Sequence, residues 1–436
     1  MTSTHSSRPQ ASAANIRKAV TAATVGTVIE WYDYALYGAA SGLIINKLFF
    51  PNLSPATGLL AAFATFAVGY FARPVGGIVI SHIGDKFGRK PALILTILLM
   101  GLATVAMGLL PTYQSIGIAA PILLVLLRLV QGFGAGAELA GAIVLVAEYA
   151  PANRRAFYTG LPNAATLVGI MLATLSFLVI SYLPEEVLLG WAWRVPFLLS
   201  GALFLVAIYI RKHLDETPEY VEAMARAEAK KHEQQVPLGE LFRKSPKEVL
   251  FGFLSVTGHN ANAYILSAFS LSYMTNTVGM ARTDGLIAVT IGSLFGIAGV
   301  PFMGTLADRI GSARVYMGGA LFVLLLAYPL FWMFDTGSLF WSTLGISLGY
   351  GIGFGAMAGA QGAFLTNLFP TRYRFSGLAM SRELNGVLVA GPTPLIAQAL
   401  VGAADGRPTY VAAYLMACCA LAIFAILVIQ NRSVHE

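Results

Sequence analysis

The stretch SHIGDKFGRK (81–90) lies between two long apolar segments, and GTLADRIGSA (304–313) repeats its pattern 223 positions later, about half the chain. Each copy places an aspartate at the same point, Asp85 in the first and Asp308 in the second. A pattern that returns after half the length of a chain indicates two related structural units. The sequence therefore predicts a protein made of two similar halves.

A second pair of segments supports this duplication. EYAPANRR (148–155) and NLFPTRYR (367–374) each contain a proline followed by two arginines, after a long apolar stretch. Parallel repeats of this kind occur in membrane transporters, which hold the substrate near the bilayer midplane where the repeats meet. The duplication thus indicates a carrier.

The composition is that of a membrane protein, with a mean hydropathy of +0.70 and 11% charged residues, against roughly a quarter in soluble domains. Lipid cannot satisfy exposed backbone groups, so near-continuous apolarity predicts helices; the alternation of a membrane β-barrel is absent. We predict an all-α membrane protein with twelve transmembrane helices in two pseudo-symmetric six-helix bundles. Segments of the required length of about 20 residues lie near 22–48, 57–81, 91–110, 120–147, 156–182, 194–211, 249–276, 285–305, 315–334, 339–365, 376–401 and 410–430.

The distribution of Lys and Arg predicts the orientation in the membrane. One side carries only Lys47, Arg282 and Arg407, with Arg194 as a candidate fourth. We therefore expect both termini on the other, cytoplasmic side, and we attribute the net charge of +7 to this topology and not to nucleic-acid binding. The basic residues predicted to be cytoplasmic are Arg8, Arg17, Lys18, Lys86, Arg89, Lys90, Arg154, Arg155, eight residues in 211–247, Arg309, Arg314, Arg372, Arg374 and Arg432.

One long polar insertion divides the chain. We predict a cytoplasmic tail (1–21), an N-terminal six-helix bundle (22–210), a cytoplasmic linker (211–247), a C-terminal six-helix bundle (248–430) and a short cytoplasmic tail (431–436). The linker is rich in Glu, Lys and Ala, which favours partial helix at the membrane surface.

Several motifs together resemble the major facilitator superfamily and, within it, the metabolite:H⁺ symporters, which include permeases for shikimate, dicarboxylates, 2-oxoglutarate and proline or betaine. The loop at 81–90 matches the superfamily pattern except at Ser81, where a glycine is usual. The resemblance covers essentially the whole chain and implies proton-coupled import of small metabolites, mostly carboxylates or zwitterions. The narrower family is indicated by IEWYDYALYG (29–38), ARPVGG (72–77), RLVQGFGAGAE (128–138), EYAPANRR (148–155), WRVPF (193–197) and LDETPEY (214–220).

Charged residues inside the predicted spans are functional candidates, because a charge at bilayer depth is costly unless it is paired or hydrated. Helical rise places Asp33 about 15–17 Å from the inner end of span 1 and Arg128 about 12 Å from the outer end of span 4. Both spans line the central cavity in the superfamily, so we expect the two side chains to meet. An acid beside Arg128 stays ionised, and one from which Arg128 withdraws takes a proton. Asp33, Glu30 and Arg128 are thus the predicted proton-coupling residues; the alternative is a static ion pair that fixes helix packing.

Two further sets of intramembrane charges allow two interpretations each. Arg73, which precedes a proline, either binds an anionic substrate or pairs with Glu30 or Glu138 near the cytoplasmic end. Arg382 is either a carboxylate ligand or gate residue of the second half, or a packing residue at the membrane end. Its neighbour Glu383 points in a different direction on a helix, so the two cannot simply neutralise each other.

Polar and aromatic residues complete the predicted binding site. His259 contacts substrate or protons, or is a buried, hydrogen-bonded histidine. Trp31, Tyr34 and Tyr37 recur on one helical face and predict an aromatic cavity lining. The full predicted substrate-binding set is Arg128, Trp31, Tyr34, Tyr37, Gln131, Arg73, His259, Asn260, Tyr264, Arg382 and Glu383.

The repeated loops predict a cytoplasmic gate. Asp85 is expected to face a helix N-terminus in the opposite half, while Arg89 and Lys90 pair with Glu148. Such contacts form when the inner side is closed and break when it opens. The predicted gate residues are Asp85, Arg89, Lys90, Glu148, Arg154, Asp308 and Arg309.

These features predict a secondary active transporter that imports a small organic carboxylate with protons. The alternatives are proton-coupled uptake of a zwitterionic compatible solute such as proline or betaine, and export by the same fold. No HExxH, GxSxG or paired Cys/His spacing is present, so an enzyme is not expected. We expect a multi-pass protein of the inner or plasma membrane whose partners are substrate, protons and lipid, without metal, cofactor or nucleic acid, and sufficient as a monomer.

Overall fold

The computed structural model describes residues 13–87, 89–136, 143, 146–147, 150–213, 238–369 and 374–433. Within these residues all regular structure is helical, as the hydropathy predicts. A helix interrupted only by a π-helical turn is counted once here, which gives twelve long helices in the described part of the chain. Their bounds, given for the part of each helix before any π-helical segment, are α1 Ala13–Ala40, α2 Pro55–Phe87, α3 Arg89–Leu109, α4 Ala119–Gly134, α5 Arg155–Ser181, α6 Arg194–His213, α7 Pro246–Tyr264, α8 Arg282–Ile310, α9 Ser312–Asp335, α10 Leu339–Leu348, α11 Arg374–Asn385 and α12 Thr409–Ser433.

Several helices continue through π-helical segments, in which the wider turn locally breaks the regular hydrogen-bond ladder and is frequent near functional sites. Helices α1, α7, α10 and α11 each extend past such a segment, and another precedes α6. The π-helical segments found in the described residues are Ser41–Ile45, Leu188–Ala192, Ile265–Phe269, Tyr273–Thr277, Gly349–Phe354 and Gly386–Ala390.

Only some helices of the described residues are long and apolar enough to cross a membrane on their own. Six in the described residues meet that description, and a pair bent by 43°, Glu185–Ala192 with Arg194–Val206, makes a seventh. Two more, Leu95–Leu109 and Ala119–Gly134, are apolar but shorter. The remaining predicted spans are divided by π turns.

The predicted span 120–147 is interrupted. Helix α4 ends at Gly134 and Ala135 begins a turn, while Ile143, Val146 and Ala147 are helical again. Glycines at 132, 134 and 136 lower helix propensity here. They also permit close packing, since a Cβ on Gly132 would lie 1.8 Å from the carbonyl oxygen of Gly69 on α2.

The twelve helices pack as two bundles, called here the N half (α1–α6) and the C half (α7–α12). In the N half, α1 packs on α5, α2 on α4 and α3 on α6; in the C half, α12 packs on α7 and α9. Helix α5 packs along α8, and α2 along α11, across the interface between the halves. The candidate site lies along this interface. The predicted linker falls largely on 214–237, outside the described residues.

Candidate functional site

Four of the predicted intramembrane charges are almost completely buried: Glu30, Asp33, Arg73 and Arg128 have exposed fractions between 0% and 8%. They come from three helices of the N half, α1, α2 and α4. Such burial requires a polar partner for each charge. The partners divide the four residues into two separate groups.

The carboxyl group of Asp33 contacts α6 of the N half. The hydroxyl of Ser200 on α6 donates a hydrogen bond of 2.6 Å to its Oδ1 atom. The other carboxyl oxygen, Oδ2, has no hydrogen-bond partner among the described residues. The carboxyl is therefore held by one neutral donor, and its second oxygen has no hydrogen-bond partner among the described residues.

The guanidinium group of Arg128 donates its hydrogen bonds to groups within the N half. Its Nη2 atom donates to the carbonyl oxygen of Phe66 at 2.8 Å, Nε donates to the carbonyl oxygen of Thr65 at 3.4 Å, and Nη1 donates to Oε1 of Gln131. The group also lies over the Tyr37 ring, 4.2 Å from its centroid. Arg128 is thus held by backbone carbonyls, an amide and an aromatic face.

The predicted direct contact between Asp33 and Arg128 is absent. Within the described residues, no carboxylate oxygen lies within 4.0 Å of the Arg128 guanidinium. Gln131, which accepts a hydrogen bond from Arg128, donates its amide N–H to the Thr104 hydroxyl at 2.8 Å. Asp33 instead accepts a hydrogen bond from Ser200 on α6, and the similar depth of Asp33 and Arg128 stays a prediction.

Arg73 joins two carboxylates from opposite halves. Its Nη2 atom lies 3.0 Å from Oε1 of Glu30 on α1, and its Nε atom lies 3.7 Å from Oε2 of Glu383 on α11. Nη2 also donates to the carbonyl oxygen of Ala135 at the end of α4. This geometry matches the predicted tie to Glu30. The other candidate partner, Glu138, lies outside the described residues.

Aromatic side chains form the cavity between the halves. A small gap between the halves is lined by residues that include Trp31, Tyr34 and Phe66 from the N half and Tyr264 from the C half. The Trp31 and Tyr264 rings are 5.8 Å apart. The hydroxyl of Tyr70 donates a 2.6 Å hydrogen bond to that of Tyr264, which links α2 to α7.

The predicted aromatic face of α1 is divided between two environments. Trp31 and Tyr34 line the cavity. Tyr37, on the same face, instead exchanges a 2.7 Å hydrogen bond with the hydroxyl of Thr65 and stacks on Arg128. Its place is therefore in the support of Arg128, behind the cavity wall.

The C half contains a polar chain of its own. Arg382 on α11 donates to Oε1 of Gln361 on α10. The amide nitrogen of Gln361 donates to the Tyr316 hydroxyl at 3.0 Å, which donates to the carbonyl oxygen of Ser255 at 2.8 Å. Among the described residues, no carboxylate lies within 4.0 Å of Arg382. Arg382 is thus a cation anchored by neutral groups.

The polar residues predicted on α7 have different surroundings. His259 is buried, with its ring 4.8 Å from that of Phe354, and its Nδ1 atom has no hydrogen-bond partner in the described part of the chain. Asn260 donates a 2.7 Å hydrogen bond to Asn385. Tyr264, one turn further, faces the cavity.

The second copy of the repeated loop holds the two halves together on the predicted cytoplasmic side. The Asp308 carboxylate at the end of α8 accepts hydrogen bonds from the backbone N–H groups of Ala156 (2.8 Å) and Phe157 (2.9 Å) at the start of α5. These are unpaired donors at the positive end of a helix dipole. Gly311, which follows, has φ 103° and forms the turn into α9, a conformation that favours glycine.

The other predicted gate residues are described only in part. Arg154 lies over the Phe157 ring, 5.4 Å from its centroid, and Arg309 is exposed. The side chains of Asp85, Arg89 and Lys90, and residue Glu148, lie outside what the structure describes. On the opposite membrane side, Arg282 donates to the carbonyl oxygens of Ser181 (3.2 Å) and Leu183 (2.9 Å).

Sequence reasoning missed several residues of the site. Ser200 and Thr104 are small hydroxyl residues inside apolar spans, and nothing in their sequence context marks them. Tyr70 carries a readable signal, since it precedes Arg73 by three residues and so shares its helical face. Gln361 and Tyr316 each form part of the Arg382 support and likewise lack a motif. No cluster of three His, Cys, Asp or Glu residues suited to a metal occurs among the residues described.

Comparisons with known proteins agree on one family. The sequence model of the Major Facilitator Superfamily matches residues 23–384. The shikimate transporter of Escherichia coli K12 is 38% identical over 418 residues, covering 95% of this chain and 94% of the relative. The proline/betaine transporter of the same organism is 33% identical, covering 92% and 81%. The E. coli xylose transporter XylE, in a partially occluded inward open conformation, superposes with a TM-score of 0.71 at 16% identity over 96% and 98% of the two chains. That structural match shows the fold alone.

Proposed function

This chain belongs to the Major Facilitator Superfamily, and we propose that it imports a small organic carboxylate together with protons by alternating access. Membership makes it an integral, multi-pass membrane transporter of twelve spans and not an enzyme. The site lies within one chain, so we expect the monomer to be sufficient. We infer the carboxylate substrate and the coupled proton from the charges at the interface between the halves.

The charge balance of the site supports this assignment. In the described residues around the interface, three cations face three carboxylates, so the site is neutral when all are ionised. Protonation of one acid leaves a single positive charge inside the membrane, which is costly. A substrate monocarboxylate restores neutrality, so proton and anion favour each other's binding. The residues concerned are Arg73, Arg128, Arg382, Glu30, Asp33 and Glu383.

Asp33 is the acid best suited to take the proton, and this single observation carries the proposal. Its carboxyl is 1% exposed, makes no ion pair within 4.0 Å among the described residues and is held by a serine hydroxyl. Glu30, in contrast, lies 3.0 Å from Arg73. Burial without an ion pair favours the neutral form of an acid. Glu30 therefore remains ionised while Asp33 exchanges its proton.

The relatives divide between carboxylate and zwitterion substrates. Shikimate, named in one relative, is a ring carboxylate; proline and betaine, named in another, are zwitterions. The aromatic cavity wall of Trp31, Tyr34, Phe66 and Tyr264 favours a second candidate, because aromatic faces bind quaternary ammonium groups. Uptake of a zwitterion such as betaine is therefore the alternative function. Arg382, which has no carboxylate of the described residues within 4.0 Å, favours the anion.

Uptake into proteoliposomes distinguishes the two. Purified protein would be supplied with labelled shikimate, glycine betaine or proline, with and without an inward pH gradient, a protonophore and an imposed membrane potential. Proton-coupled carboxylate import predicts shikimate accumulation that the protonophore abolishes and that a negative interior does not accelerate, because H⁺ and a monoanion cancel. Betaine uptake that a negative interior accelerates would establish the alternative. Uptake that requires Na⁺ and ignores the protonophore would overturn both.

A further inference from the structure

We propose that Gln361 is a positioning residue that makes the site selective for anions. It orients Arg382 without neutralising it, and so leaves the rest of that guanidinium for the carboxylate of the substrate. This inference rests on the proposed function, since it takes the substrate to be a carboxylate. It deepens that function by naming the group that receives the carboxylate and the residue that prepares it.

The support of Arg382 is fixed from end to end by hydrogen bonds. Arg382 donates through Nη1 to Oε1 of Gln361, whose amide nitrogen donates to the Tyr316 hydroxyl at 3.0 Å. That hydroxyl gives its single proton to the carbonyl oxygen of Ser255 at 2.8 Å, so toward Gln361 it is an acceptor. An acceptor at this place requires the NH₂ end of the amide. The amide oxygen is therefore turned toward Arg382.

This support is closed to water, while Arg382 itself is not. Gln361, Tyr316 and Ser255 are each 0% exposed, and Arg382 is half-buried. A buried amide whose oxygen and nitrogen are both hydrogen-bonded has no alternative partner in water. Gln361 thus holds one arm of the guanidinium in a fixed direction and leaves the group accessible.

The N half contains the same arrangement around Arg128. Arg128 donates through Nη1 to Oε1 of Gln131. The Gln131 amide nitrogen donates to the Thr104 hydroxyl at 2.8 Å, and that hydroxyl donates to the carbonyl oxygen of Met100 at 3.0 Å. Each half therefore holds one arginine through a glutamine, a hydroxyl and a main-chain carbonyl, all of them neutral.

The two arginines differ in the opposite edge of the guanidinium, which Nε and Nη2 form. In Arg128 this edge donates to the carbonyl oxygens of Thr65 and Phe66, and the residue is 0% exposed. In Arg382 the hydrogen bond from Nη1 to Gln361 is the one found within the described part of the chain. Parallel N–H donors of a guanidinium match the two oxygens of a carboxylate. Arg382, and not Arg128, therefore retains an edge for an anionic ligand.

A polar strip of the C half connects Arg382 to the gap between the halves. Asn385 lies one turn after Arg382 on α11 and so shares its face. Asn260 on α7 donates to Asn385 at 2.7 Å, and Tyr264, one turn further along α7, lines the gap. A substrate that packs against the aromatic lining can extend its carboxylate along this strip to Arg382.

The neutrality of the amide decides the selectivity. A carboxylate in place of the Gln361 amide would pair with Arg382 inside the protein and compete with the substrate. The amide oxygen accepts the same hydrogen bond and leaves the positive charge in place. An unpaired charge inside the membrane is costly, and an anionic substrate removes that cost. A compound without net charge does not.

The test measures the affinity of purified protein for shikimate and for its uncharged methyl ester, each labelled, by equilibrium binding at one pH near neutrality. The readout is the ratio of the two affinities, because a variant that only perturbs the fold weakens the binding of both compounds. Size-exclusion elution checks folding independently.

Three variants are compared with the wild type. Gln361→Glu places a carboxylate against Arg382 at constant size. Gln361→Met keeps the length of the side chain and removes the amide, so Arg382 stays charged and loses its anchor. Gln398→Glu is the matched control, because Gln398 is another buried glutamine of the C half, 7% exposed, and is not a hydrogen-bond partner of Arg382 in the described residues.

We expect Gln361→Glu to lower the affinity for shikimate by about ten- to a hundredfold, as for the loss of a charge-assisted contact, with the ester affinity unchanged. Gln361→Met should lower shikimate affinity several-fold and still bind the acid more tightly than the ester. Gln398→Glu should keep the wild-type ratio. A Gln361→Glu protein with the wild-type ratio overturns the inference. So does an equal loss in Gln398→Glu, since any added negative charge would then act alike, and so does a Gln361→Met protein with wild-type shikimate affinity.

These outcomes separate the role of Gln361 from the proposed function. If the wild-type protein does not prefer shikimate to its ester, the carboxylate assignment fails, and the role of Gln361 with it. If the wild type prefers the acid and Gln361→Glu keeps that preference, the function stands and the role of Gln361 alone is rejected.

Discussion

The guanidinium of Arg73 on α2 lies 3.7 Å from the carboxylate of Glu383 on α11, so an ion pair inside the membrane joins the N half to the C half. The two side chains are 10% and 19% exposed, and both belong to the part of their helices nearer the predicted cytoplasmic side. Opening of that side by movement of the halves separates α2 from α11. The pair therefore favours the state in which the cytoplasmic side is closed.

Glu383→Gln should shift the protein toward the inward-open state. The substitution removes one charge of a partly buried pair, a contact worth about 1 kcal/mol, which corresponds to a several-fold change in population. Cysteine labels placed on the cytoplasmic side of the cavity should react several-fold faster. Glu30→Gln is the matched control, because it breaks the Arg73 pair within the N half. Equal labelling rates in both variants would contradict the inter-half role.

Asp33→Asn should abolish accumulation against a gradient while substrate exchange persists. Asparagine resembles the protonated acid in shape and charge, so the carrier can still bind and reorient but cannot release a proton. Parallel measurements of gradient-driven uptake and of counterflow would show the separation. Asp405→Asn is the control, since Asp405 is exposed with φ 52°, a conformation that asparagine tolerates. If the Asp33→Asn protein accumulates shikimate normally, Glu30 or His259 must carry the proton instead.

The sequence predicts the depth of these residues but not the direction in which they point. Hydropathy and the repeated loops are sufficient to predict twelve spans. Helical rise predicts a similar depth for Asp33 and Arg128. The rotation of each helix depends on packing, such as the close approach of Gly132 to Gly69, which a hydropathy pattern does not encode. For that reason the hydrogen bond from Ser200 to Asp33 is visible only in three dimensions.

The gate illustrates the same limit. The sequence predicts that Asp85 faces a helix N-terminus in the opposite half, and its repeat partner Asp308 makes such a contact with α5. The duplication therefore predicts the chemistry of the contact, while the identity of the receiving helix requires the arrangement of the halves. The Asp85 contact itself stays a prediction.

Asp308→Asn should favour the inward-open state and slow transport. The variant keeps one acceptor oxygen but loses the charge that faces the positive end of α5, an effect of about 1–2 kcal/mol. Several-fold faster cysteine labelling of the cytoplasmic side of the cavity, with unchanged substrate affinity, is the expected result. Arg309→Gln, at the exposed neighbouring position, should label as wild type does. Lost affinity with unchanged labelling would assign Asp308 to the binding site.

Arg282→Gln should act in the opposite direction. Arg282 at the start of α8 donates to the carbonyl oxygens of Ser181 and Leu183 at the end of α5, where a cation is favoured by the helix dipole. Its loss should open the outer side, so that outer cysteine labels react several-fold faster and cytoplasmic labels react more slowly. Arg407→Gln is the control, because Arg407 is an exposed arginine predicted on the same outer side. Faster labelling on the cytoplasmic side would contradict this assignment.

The most direct test of the account is the simultaneous measurement of proton and shikimate uptake in proteoliposomes, with a pH-sensitive dye inside the vesicles and labelled shikimate outside. The account predicts that each shikimate entering the wild-type vesicles brings one proton, without net charge movement, and that Asp33→Asn vesicles exchange shikimate with no proton signal. Shikimate accumulation without internal acidification, or an unchanged proton signal in Asp33→Asn, would contradict it.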